Sequence, residues 1–229
     1  MTYLTLLDGT SAAIVLGGTA AGTLLRCGWS NTIAAASSLA GAMRSDFDAA
    51  HAQSELALQV QQIHRDGLLR AEPRHFGDAE FDAVTDTILS RRTVSALLEK
   101  HRAYQRARLA RSRVAVATFI QAADLAPVFG LAGTLIALSQ MPTNPGPGVL
   151  LSHSIPMAIV CTFYGLVTAH LLFAPLARFI ERHAAREEAE RQKLVDWLAA
   201  EVAKETGLEA ARHAGREPPP PPSRKAAAA

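Results

Sequence analysis

Charge is what the middle of this chain lacks. Between Val114 and Ala177 lie 64 residues, and Asp124 is the single Asp, Glu, Lys or Arg among them. Residues 1–40 are nearly as bare, with one acid, Asp8, and one base, Arg26. A soluble domain cannot leave such a stretch uncharged, because its exposed faces need polar groups. A bilayer requires it, since a charge at mid-depth costs several kcal/mol. Cysteine is scarce as well: Cys27 and Cys161 lie in apolar segments with no CxxC spacing, which excludes a disulfide framework. The chain has no HExxH, GxGxxG, P-loop or GxSxG, and none of its 8 histidines has metal-ligand spacing with another His or Cys. No enzyme, cofactor or metal is expected. His153 and His170, in or near the apolar region, read as packing or interfacial residues. A net charge of +2 gives no reason to expect a nucleic-acid partner.

What is present is helical throughout, and no strand-like alternation stands out. The reading is an all-α integral membrane protein in five segments. Residues 1–40 hold a first transmembrane helix, from about Thr10 to Leu25, and an interfacial segment. Arg26 and Trp29 suit the interface, where cations snorkel and indoles lie. Residues 41–113 form a water-facing helical loop punctuated by Gly67, Pro73 and Gly77, with an amphipathic stretch from about Asp78 to Arg113 (Phe81, Val84, Ile88, Val94, Leu97, Leu98). Residues 114–180 hold a transmembrane hairpin whose turn, 141–148, contains three of the 12 prolines. Residues 181–214 are a further charged helix. Residues 215–229 are a Pro/Ala-rich low-complexity tail, read as disordered.

The basic residues orient these spans. Blocks 41–113 and 178–229 hold 22 of the 23 Lys and Arg. Three spans put both blocks on one side, and the positive-inside rule makes that side cytoplasmic. The N-terminus is then outside and the C-terminus inside. A cleaved leader would want a positive N-terminal region, and the only early charge is Asp8.

Ala126, Gly130, Gly133 and Ala137 recur at i, i+4, i+7, i+11, a face of small residues that marks close helix–helix packing in lipid. Gly165 continues the theme in the third span. Pro127 and Thr134 share another face, and Pro175 ends the third span; a proline at that depth frees a backbone carbonyl that protein or water must satisfy. Counting about 1.5 Å per residue through a core of about 30 Å, Thr134 lies roughly 10 Å below the outer boundary and Thr162 about 6 Å below it. Asp124 lies about 25 Å down, toward the cytoplasmic mouth, by the same count. Thr and Pro at such positions either line a lumen or simply help helices pack.

IVLGGTAAGTLL (14–25), HRDGLLRAE (64–72), ADLAPVFGLAGTLIAL (123–138) and IPMAIVCTFYGLVTAHLLFAPLARFI (155–180) resemble successive segments of the MotA/TolQ/ExbB proton-channel family, nearest to its MotA branch. The resemblance covers about residues 8–185. It implies a homo-pentamer in the bacterial inner membrane, around the single-span helices of a partner that carries the protonatable aspartate. It also implies a stator-type role converting proton-motive force into mechanical work. Pro127, Thr134, Thr162 and Pro175 match the family's pore-facing and helix-bending positions, and Asp124 an acid near the inner end of the ion path. His64, Arg65 and Glu72 fall where MotA proteins contact a cytoplasmic rotor protein. Here the first base and the second acid of that pattern are missing. Three spans rather than four match TolQ and ExbB, so an energiser of envelope transport is the alternative within the family. A non-conducting membrane scaffold is the alternative outside it. N-terminal sequencing of the purified chain is expected to begin before residue 30; a start near 30–40 would mean cleavage and remove the first span.

Overall fold

The structure, a computed structural model, describes residues 8–44, 47–66, 78–91, 94–140 and 154–214, and every element among them is helical. The first helix, α1, is one contiguous run of Gly9–Ala12, a π-helical Ala13–Gly17, and Gly18–Cys27. It is followed by α2 (Trp29–Arg44), α3 (Ala49–Asp66), α4 (Ala79–Arg91) and α5 (Val94–Ser139). The last, α6, comprises Ser154–Val167, a π-helical Thr168–Phe173, and Ala174–Ala214. The proline turn 141–148 and the tail 215–229 lie outside the described residues.

Aspartate starts three of these helices. Asp8, Asp48 and Asp78 each accept from backbone N–H groups of the first turn: Asp8 from Thr10 and Ser11, Asp48 from His51, Asp78 from Glu80 and Phe81. Such caps satisfy donors that have no partner within the helix. α1 ends at Gly28, whose φ of 83° is open to a residue without Cβ and strained for any other. α5 runs from the charged loop into the apolar segment as one helix, where a boundary near Val114 was expected. Nothing interrupts it, because residues 94–126 contain neither Gly nor Pro.

The chain divides into two compact units, Met1–Phe47 with Arg106–Glu188 and Asp48–Gln105 with Ala189–Ala229. Two helices, Val94–Ser139 and Ile155–Lys204, are long and apolar enough to cross a membrane. Their most apolar windows are only 28% and 33% buried, so they are not the core helices of a soluble protein. Together with the uncharged sequence, this makes the chain an all-α membrane protein.

The two apolar segments form an antiparallel pair. Gly130 faces Gly165, Gly133 faces Cys161, and Ala115 shares a cluster with Ile180. α1 lies along the same pair: Val15 clusters with Ala137, Met157 and Cys161, while Gly18 and Gly22 seat the ring of Phe129. At about 1.5 Å per residue α1 is about 28 Å long, close to the hydrocarbon thickness of about 30 Å. Its centre, Gly18, rests on Phe129; the centre of Ile155–Ala177, near Leu166, adjoins the Gly130–Gly165 contact. The centres of these two helices thus meet α5 at the same level, Phe129–Gly130. α2 packs further along, with Ala35 and Leu39 beside Ala115, Val116, Phe119 and Ile180.

The second unit has an ordinary apolar core: Leu56 and Val60 of α3, Phe81 and Val84 of α4, Ala96 and Leu97 of α5, and Leu194, Val195, Leu198 and Val202 of α6 are all buried. Asp78, besides capping α4, pairs with Arg191 at 2.8 Å. Partial burial pushes its carboxyl up, but the bond and charge of Arg191 and the two backbone N–H groups outweigh this and leave it below the usual aspartate value.

Two predictions follow from this packing. A Cβ on Gly18 would lie 2.3–2.8 Å from Phe129 ring atoms. Gly18→Leu should therefore cost about 1–3 kcal/mol by overpacking. Phe129→Ala in the same chain should recover part of that loss, measured as less-than-additive shifts in thermal unfolding in detergent. Asp78→Asn should destabilise the second unit by about 1 kcal/mol at pH 7, the modest worth of a partly exposed charged pair. Because the folded-state carboxyl is depressed, its contribution is present above the ordinary aspartate pKa and disappears as pH falls through the folded value. Parent and variant unfolding curves should converge in acid.

Candidate functional site

In the membrane-spanning segments every side chain able to hold or pass a proton is conspicuous, so the site can be assembled by depth. Counted along α5 from Phe129, Thr134 lies about 7–8 Å to one side and Asp124 about 7–8 Å to the other. Thr162 neighbours Cys161, which touches Gly133, so the two threonines share one level. Asp124 is exposed on the surface of the chain, in line with the exposed Val128, Leu131 and Leu135. Pro127 is half-buried on the flank of this face, and Pro175 is exposed.

Both threonine hydroxyls donate within their own helix: Thr134 Oγ1 to Leu131 O at 2.6 Å, and Thr162 Oγ1 to Ala158 O at 3.3 Å. Thr19, Thr23 and Thr118 do the same. This is the habit of hydroxyls in apolar helices. It leaves each oxygen with acceptor capacity, since a hydroxyl has two lone pairs. As donors the threonines must give up the helix bond before they serve an ion or another chain.

The two prolines are accommodated differently. Helix α5 runs through Pro127, which cannot donate to the carbonyl of Ala123. Pro175 cannot donate to that of Leu171, and the wide π-helical segment Thr168–Phe173 lies immediately before it, a usual place for such irregularity. His170 sits in that segment and is exposed; His153 lies outside the described residues.

The stripe Ala126, Gly130, Gly133 and Ala137 was expected to join copies of the chain. It is buried inside one. A Cβ on Gly130 would meet Cys161 O at 3.0 Å and Gly165 Cα at 3.1 Å; one on Gly133 would meet Cys161 Sγ at 2.8 Å. A Cβ on Gly165 would meet Ala126 O at 2.8 Å. The reason is connectivity: the helix that follows in the same chain offers its own small residues first. The sequence reading also passed over Gly18-x-x-x-Gly22, a recognisable small-residue spacing. Here it receives an aromatic ring instead of a second backbone.

Of the residues expected to contact a rotor, His64 and Arg65 lie in the last turn of α3, with Arg65 exposed, and Glu72 lies outside the described residues.

Known proteins bear on this arrangement. The motility protein A of Cereibacter sphaeroides is 25% identical over 165 residues, covering 67% of this chain and 61% of that protein. That of Borreliella burgdorferi is 34% identical over 74 residues, 32% of this chain and 28% of its own length. The chain thus spans less than two thirds of the length of these relatives. Two solved structures share the fold at 18% identity. One is the flagellar MotAB stator complex of Bacillus subtilis (TM-score 0.78; 88% of this chain and 81% of that one). The other is C. jejuni MotAB (TM-score 0.77; 96% and 89%). Residues 70–193 match the MotA/TolQ/ExbB proton channel family, and with more than half of its length so matched the chain belongs to that family.

Proposed function

We propose that this protein is the pore-forming subunit of a proton-driven, MotA-like stator complex. In this reading it is a three-span homo-pentamer of the bacterial inner membrane, with its N-terminus outside and both charged blocks in the cytoplasm. α1 is the first of the three spans: its composition is marginal, but its length and its position beside the other two suit a bilayer. The pentamer surrounds a single-span partner of the MotB/ExbD/TolR kind. That both solved neighbours are MotAB complexes supports such a partner.

One observation carries the proton-conducting role. The spans offer threonine hydroxyls in the outer half and one carboxylate in the inner half, with no ionisable acid between them. A proton cannot cross that interval on this chain alone, so a partner has to supply a titratable group near the midplane. The exposed Asp124 supports the same reading. A carboxylate at this depth facing lipid is costly, so its face belongs against water or another chain. Asp124 would then draw cations at the inner mouth, and Thr134 and Thr162 would exchange hydrogen bonds with the partner's carboxylate. Pro127 and Pro175 would shape the spans around that path. Copies of the chain meet through surfaces other than the small-residue stripe. Protonation of the partner then shifts its helix between equivalent positions of the ring, which yields rotation or a pull. A role at a flagellar rotor would use the α3 end at His64 and Arg65, with Glu72.

Valine keeps threonine's shape and removes its hydroxyl. Thr134→Val with Thr162→Val should lower proton flux into vesicles by tenfold or more while the partner still co-purifies. Parental flux through the double variant would mean that these hydroxyls only serve their own helices.

A further inference from the structure

The second unit contains charged side chains where a core would ordinarily be apolar. Glu80 is 4% exposed, His101 1% and Arg191 9%. A buried carboxylate persists only when its oxygens are paired. Glu80 divides them between two helices: Oε1 lies 2.7 Å from His101 Nδ1 on α5, and Oε2 accepts from Arg191 Nη1 on α6 at 3.0 Å. The other ring nitrogen of His101, Nε2, lies 3.1 Å from Oε1 of Gln192. That amide is oriented by its far end, where Gln192 Nε2 donates to Asp196 Oδ1 at 2.7 Å. Turned over, it would set its oxygen against a carboxylate.

Both nitrogens of the ring therefore face acceptors, and a neutral imidazole can donate from only one. The arrangement calls for an imidazolium. The charges around it agree. From α4 come the carboxylates of Asp78 and Glu80, and from α6 the guanidinium of Arg191 and, one step further through Gln192, the carboxylate of Asp196. Arg191 is itself engaged by Asp78 at 2.8 Å and lies 5.6 Å from the ring centre of Phe81. Among the described residues the surroundings hold three acids and one arginine, which suits a charged His101.

We propose that His101 is a proton-operated latch, joining α4 to α6 when its ring is charged and loosening both when the ring is neutral. Losing the proton costs one of the two donated bonds, sets a lone pair against an oxygen, and leaves buried Glu80 with one cation fewer. Histidine is the side chain whose charge changes near neutral pH, so the packing of this unit responds to ordinary excursions of the compartment it faces. That this compartment is the cytoplasm rests on the topology proposed above; the latch itself does not.

The full chain in detergent or nanodiscs decides the matter. With ¹⁵N-labelled histidine, the ring whose signal His101→Gln removes is expected to show N–H on both nitrogens at pH 6 and to lose one as pH rises. Amide exchange, corrected for its intrinsic pH dependence, should quicken across 96–102 and 191–198 over the same interval, by up to tenfold per pH unit, the limit for one linked proton. Glu80→Gln should flatten that dependence. If this variant does not fold, the parent's histidine spectrum still decides. A His101 ring neutral at pH 6, or exchange in these helices independent of pH, would overturn the latch whether or not the chain conducts protons. A failure of conduction would leave it standing.

Discussion

Close backbone approach between the two apolar segments is the constraint on which the membrane unit depends. Gly130 and Gly165 touch through their Cα atoms, and Gly133 admits the sulfur of Cys161; a single methyl group at any of the three would meet an atom at about 3 Å or less. In lipid no hydrophobic force drives helices together, so contact area and fit must do it, and small residues supply both. The same contact sets the register. Once Gly130 faces Gly165 in an antiparallel pair, Thr134 and Thr162 have to share a level, and Asp124 has to lie on the opposite side of the midplane. A slip of one turn would separate the threonines by about 5 Å.

Around that contact polar groups are sparing, and several are held within their own helices. Buried threonines bond back to their own helices, Asp8 caps the first of them with Ser11, and the π-helical turn precedes Pro175. Asp124 is the exception. It stands on an exposed face among leucines, at a depth where water is absent unless a lumen or another chain brings it. The proposed function turns on that exception and on the interval above it, which holds no acid.

In the second unit charge is handled in the opposite way. There the acids and bases are paired across helices, with Glu80 shared between His101 and Arg191. Such networks stabilise less than an apolar core of equal volume, because desolvation offsets most of the attraction. They make the unit conditional on protonation, which an apolar core would not be.

Residue order alone was enough to determine that the chain is helical, that it enters the membrane, and where its spans lie. These follow from period, propensity and the cost of charge in hydrocarbon, all local or additive along the chain. The spacing of Thr134 and Asp124 along one helix was legible for the same reason, since a helix rises by a constant amount per residue. The face of small residues was legible as a contact; its partner was not, because spacing is silent on whether a stripe meets its own chain or another copy. Nor did sequence indicate that Gly18 and Gly22 would hold Phe129. The three aspartate caps carried a local signal that pattern reading could have used. The Glu80–His101–Arg191 cluster carried none: its members lie 21 and 111 residues apart, and only the folding of α4, α5 and α6 onto one another brings them within hydrogen-bond distance.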